Sequence, residues 1–125
     1  MQLEALRAID STDTPSLAPD DRPIDLVHLA RTTLGDRSLE REVLQLFDRQ
    51  STLLLERMRA AAPDGVGTLA HTLKGSARGI GAWRVARAAE AVELAEGAQA
   101  KGALDALAAA TDEARAIIAD LLKAN

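Results

Sequence analysis

A chain of 125 residues with no cysteine, 2% aromatic residues and a formal charge of -4 is long enough for one self-sufficient core. The missing cysteines exclude a disulfide framework, a thiol nucleophile and thiolate metal sites, and the acidic balance argues against a general affinity for nucleic acid, which rests on an excess of Lys and Arg. Alanine and leucine dominate, while Val, Ile, Tyr and Trp are too few and too scattered for several strands, so composition points to an all-α domain.

Along the chain, Leu3, Leu6 and Ile9 make a short amphipathic run, read either as one or two helical turns packed on the main body or as a frayed terminus. Residues 1–9 carry Glu4 and lack a small-residue cleavage site, so they do not read as a signal peptide. No stretch approaches the ~18 apolar residues that span a bilayer. A cytoplasmic protein without membrane contact is expected. Residues 10–23 are rich in Ser, Thr, Asp and Pro, the composition of a linker; residues 1–23 therefore read as an extension and 24–125 as the folded domain.

Residues 25–34 predict a first helix with Leu26, Leu29, Ala30 and Thr33 or Leu34 inward, stopped at Gly35. Asp36 is placed to cap a second, with Leu39, Val43, Leu46, Phe47, Leu54 and Met58 at threes and fours until Pro63. A third begins at Asp64 or Gly65 and carries the stripe Val66, Leu69, Ala70, Leu73, Ala77 and Ile80, with a tight reversal at 79–81. From Ala82 a fourth turns Val85, Ala88 or Ala89, Val92 and Ala95 inward and Arg84, Arg87, Glu90 and Glu93 outward, ending at Gly97. After a connection over residues 97–102, a fifth repeats Leu104, Leu107, Thr111, Ala114, Ile118 and Leu121, a near-heptad seam. Short connections make neighbours antiparallel. The expected fold is an up-and-down antiparallel four-helix bundle with an additional N-terminal helix, that of residues 25–34.

His71 lies ~140° from the centre of the apolar stripe of its helix, with Lys74 one turn on and Arg78 two turns on. Lys74 is within reach of an anion carried by the ring. Gly75 costs a helix ~1 kcal/mol relative to alanine and faces away from the stripe, which fits clearance at the surface better than close helix packing. Of the other candidates, His28 beside Arg31 reads as a solvated surface residue. Trp83 reads as core or hinge packing, or else as a docking contact. Glu90 and Glu93 share a face, but the Glu-x-x-His pairs of a carboxylate-bridged metal bundle are absent, so a solvated charged face is expected and no metal or other cofactor in this chain.

The run His71-Thr72-Leu73-Lys74-Gly75-Ser76-Ala77, then Ile80-Gly81-Ala82 and an amphipathic helix reaching Glu90 to Glu93, resembles the histidine-containing phosphotransfer (HPt) domain of two-component phosphorelays. The similarity extends upstream to Ile24-Asp25-Leu26, the Gly35-Asp36 turn and Leu46-Phe47. The resemblance implies that His71 carries a phosphoryl group on its outer ring nitrogen. Lys74 would help to hold the phosphoryl oxygens, Gly75 would leave them space, and Glu93 would hydrogen-bond the inner nitrogen, with Arg78 in support. It also implies partners: response regulator receiver domains, which bring the magnesium, and a hybrid histidine kinase, with the chain itself a monomer. Arg78 and Gly79 depart from the small or amide residues frequent in relatives.

No Gly-rich phosphate loop or nucleotide-binding unit is present, so the chain reads as a phosphoryl carrier and not as an ATP-dependent kinase. Two other readings stand beside this one. One is a helical adaptor that binds receiver or kinase domains without transfer. The other is an enzyme using His71 as a general base, which needs a concave pocket around the ring.

Overall fold

The computed structural model describes residues 22–124, so the run of Leu3, Leu6 and Ile9 and most of the linker lie outside the described residues. Five helices follow in order: α1 (Leu26–Thr32), α2 (Arg37–Ala60), α3 (Pro63–Ile80), α4 (Trp83–Leu94) and α5 (Gln99–Lys123), and no strand is found among the described residues. The helix α2 packs on α3 and α5, and α4 packs on the same two, so α2 to α5 close a four-membered ring. Against α3 lies α1. This is the expected all-α bundle with its extra N-terminal helix.

Local chemistry sets the helix ends. Asp25 caps α1 by accepting from the His28 N–H, and Asp36 caps α2 by accepting from Leu39. Pro63 stands at the first position of α3, where its missing N–H costs nothing and its fixed φ suits the helix, so α3 starts there and not at Asp64 or Gly65. It runs through Ile80, and the reversal expected over 79–81 narrows to Gly81, which takes φ +80° while the Ala82 N–H returns to the Ala77 carbonyl at 2.8 Å. Helix α4 stops at Leu94, and α5 starts at Gln99, which takes Gly102 out of the expected connection and into the first turn of the helix.

Two inward faces differ from expectation. In α2 the buried line is Leu44, Phe47, Ser51, Leu54, Leu55 and Met58, whereas Leu39 and Leu46 are exposed. They belong with Leu53 to a second line at seven-residue spacing, ~110–150° away around the helix from the first, so both lines satisfy a helical period and only packing chooses between them. In α1, Leu29 and the following Thr33 are buried, and Leu26, Ala30 and Leu34 face out. The α4 core takes Val85, Ala86, Ala89 and Val92, settling Ala89 over Ala88 and leaving Ala95 half-buried.

Alanine at the seams explains how closely the helices meet: Ala70, Ala77, Ala82, Ala89 and Ala114 are fully buried beside Leu73, Val85 and Leu107. The buried hydroxyls Thr33 and Thr111 donate to carbonyls one turn back, Leu29 and Leu107, so neither leaves a polar group unsatisfied in the core.

Candidate functional site

The hairpin of α3 and α4 brings the site together. Its turn at Gly81–Ala82 places Glu93 of α4 level with His71 of α3, each lying about three turns from the reversal. The His71 side chain is 68% exposed and its Nδ1 lies 2.8 Å from Glu93 Oε2. The other carboxylate oxygen, Oε1, lies 2.6 Å from Lys74 Nζ. One carboxylate therefore holds both the imidazole and the ammonium.

Lys74 is only 12% exposed, and Glu93 only 20%. This corrects two expectations. Glu93 is no part of a solvated face, and Lys74 is not an open cation beside the ring, because packing α4 against α3 sets its charge on Glu93. The Lys74 hydrogen bond, reinforced by His71, holds the Glu93 carboxyl below its ordinary range against the opposing effect of burial.

An ionised carboxylate only accepts hydrogen bonds, so in the neutral ring the Nδ1 that faces Glu93 carries the proton and Nε2 keeps its lone pair. Among the described residues Nε2 has no hydrogen-bond partner in the chain. The geometry selects the tautomer of the neutral ring and holds the imidazole on a rigid helix with an exposed side chain.

A carboxyl whose native pKa is lowered gives stability that is present above its unfolded value, about 4.3, and is lost as pH falls through the native value. Replacing Glu93 with Gln is therefore expected to flatten the fall in thermal midpoint between about pH 5 and pH 3, read by circular dichroism melts of both proteins. The slope left in the variant belongs in part to Asp25. The Trp83 indole N–H, 2.9 Å from Asp25 Oδ2, holds that carboxyl low, with a smaller contribution from the His28 backbone N–H.

Beyond its chain neighbours and the backbone of its own helix, nothing lies within 4 Å of where a Cβ would stand on Gly75, so the bundle itself does not require glycine there. Next to it, Ser76 Oγ donates to Gln50 Oε1 at 2.9 Å and fastens α3 to α2. Leu46 and Leu53, one turn either side of Gln50, are exposed at 54% and 45%. Sequence reasoning missed this flank. Its signal was the seven-residue spacing of Leu39, Leu46 and Leu53, of which Leu39 and Leu46 were assigned to the core face and Leu53 was not used.

Arg78 is set apart from the imidazole: its guanidinium is 4.0 Å from Glu90 Oε1, with both side chains about half exposed. His28 is half-buried, its ring edge-on to Trp83 with centroids 4.9 Å apart, where a solvated residue was expected. Trp83 packs at the hinge, one of its two readings, and also lines the groove between α1, α3 and α4. Together with the Asp25 N–H, which donates to the Gly81 carbonyl at 2.9 Å, it ties the start of α1 to the α3–α4 turn. Among the described residues no three His, Asp or Glu side chains group as a metal site, and no helix is long and apolar enough to cross a membrane.

A family model described as the Hpt domain matches residues 41–122, a span that contains His71, Lys74, Gly75, Arg78 and Glu93. No curated protein and no solved structure matches the chain.

Proposed function

The chain belongs to the Hpt domain family, whose members serve phosphotransfer in two-component signalling through contacts with receiver and kinase domains, and we propose that His71 is its phosphoryl carrier. The observation that supports this most is the Glu93–His71 hydrogen bond, because it leaves Nε2 unprotonated on an exposed face.

In the proposed step the Nε2 lone pair attacks the phosphorus of a receiver's aspartyl phosphate. The P–N bond forms as the P–O bond to the carboxylate breaks, and the freed aspartate stays on the receiver. Nδ1 keeps its proton, and the positive charge that grows on the ring is met by Glu93, itself anchored by Lys74. Return to a second receiver is the same step reversed. Such transfer asks chiefly for position and charge neutralisation. Magnesium held by the receiver domain supplies part of the latter. The docking face proposed for receivers is formed by α2 and α3, from Leu46 and Leu53 across Gly75 to His71.

Radiolabelled phosphoryl on a receiver domain is expected to move to this protein as an acid-labile, base-stable adduct and to chase onto a second, unlabelled receiver. Receiver binding indifferent to phosphorylation, with no label transferred, would instead favour the adaptor reading. The general-base reading finds little support, since His71 stands on an open face and does not line the groove of about 890 Å³ between α1, α3 and α4.

Gly75→Ala separates clearance from folding. The added methyl meets nothing, so the variant is expected to be more stable by about 0.5–1 kcal/mol, yet to accept phosphoryl several-fold more slowly because the methyl stands one turn from the imidazole. Thermal melts and single-turnover transfer give the two readings, and an unchanged transfer rate removes the clearance role.

A further inference from the structure

The whole formal charge of the chain resides in residues 1–21, which hold five acidic residues and one arginine, while residues 22–125 hold fourteen of each sign. The segment also carries the apolar run Leu3, Leu6 and Ile9. It joins the described chain at Arg22, which lines the groove between α1, α3 and α4.

That groove is the segment's complement in both respects. Leu26 and Val27, 45% and 62% exposed, give it an apolar wall that the half-buried Trp83 continues. Arg31, Arg78 and Arg87 join Arg22 around it, against only two carboxylates. Twelve residues lie between Ile9 and Arg22, a reach of up to about 45 Å when extended, so tether length does not limit access.

We propose that residues 1–21 dock in cis in this groove, with Leu3, Leu6 and Ile9 against Leu26, Val27 and Trp83 and the acidic residues among the arginines. Electrostatic attraction holds the segment close and apolar burial seats it.

The full chain itself serves for the test. It has no cysteine, so Ser11→Cys gives a single attachment point for a nitroxide, and its single tryptophan is the one in the groove. The amide signals of Val27, Ala86 and Arg87 are expected to broaden several-fold more than those of Ile117 and Ile118 on α5. The excess should vanish at about 0.5 M salt or with Leu6→Ser. Acrylamide quenching of Trp83 is expected to rise in Leu6→Ser with the melting curve unchanged. Broadening spread evenly over the surface, or confined to residues adjoining Arg22, overturns the proposal. So does broadening carried by unlabelled chains mixed with labelled ones, which assigns the groove to a second copy. None of these readouts involves phosphotransfer, so their failure leaves the His71 assignment untouched.

Discussion

Replacing His71 with Gln is expected to abolish phosphoryl acceptance from a receiver domain, with a fall of at least about 1,000-fold in the single-turnover rate, or more than about 4 kcal/mol in the barrier. The glutamine amide has no lone pair free to attack phosphorus, although its N–H can still donate to Glu93 Oε2. The side chain replaced is 68% exposed, so stability should change by no more than about 0.5 kcal/mol. Loss of transfer with an unchanged melt therefore isolates the chemistry from the fold. Undiminished transfer in this variant removes His71 from the mechanism, whatever the family.

Gly81→Ala is expected to carry the largest stability cost of any single methyl added to the hairpin. At φ +80° an L side chain already costs roughly 1–2 kcal/mol. Its Cβ would in addition stand 2.9 Å from the Asp25 carbonyl oxygen and 3.0 Å from Asp25 Cβ, with His28 Cβ at 3.3 Å. Backbone cannot yield there without loosening the Asp25 N–H to Gly81 carbonyl bond that seats α1. A total of about 2–4 kcal/mol, or a fall of about 10 °C or more in the thermal midpoint, is expected. Gly79→Ala is the matched control. Gly79 is helical and a Cβ there meets nothing within 4 Å, so that variant should gain about 0.5–1 kcal/mol. Equal melts for the two variants would show that the turn does not hold α1 as described.

The contrast between these two glycines shows where the sequence was legible and where it was not. Helix existence followed from spacing: the stripe through Ala70, Leu73, Ala77 and Ile80 predicted both the buried face of α3 and the outward direction of His71. Which of Gly79, Ile80 and Gly81 makes the turn did not follow, because it depends on how Ala82 returns its N–H to Ala77. Along α2, Leu39 and Leu46 were as periodic as Leu44 and Leu55, and only the neighbouring helices decide which line is covered.

The site divides the same way. His71 and Gly75 stood out from local pattern alone. The contact with Glu93 was implied only by resemblance, and the burial of Lys74 was not foreseen, since both depend on the register of α4 against α3. His28 against Trp83 joins residues far apart in sequence, and no local pattern predicts such a pair. The consequence for mechanism is specific. Lys74 holds the carboxylate that holds the imidazole, so in the proposed step it would act on the ring through Glu93.

The central claim is that the Glu93–His71 bond reserves Nε2 for the phosphoryl group. Its most direct test is phosphorus and nitrogen-15 NMR of the full chain, labelled at histidine and loaded from a phosphorylated receiver domain. The account predicts one phosphorus–nitrogen coupling, to Nε2 of His71, with Nδ1 protonated before and after loading. An adduct on Nδ1, an adduct on His28, or a free protein in which Nε2 carries the proton would contradict it.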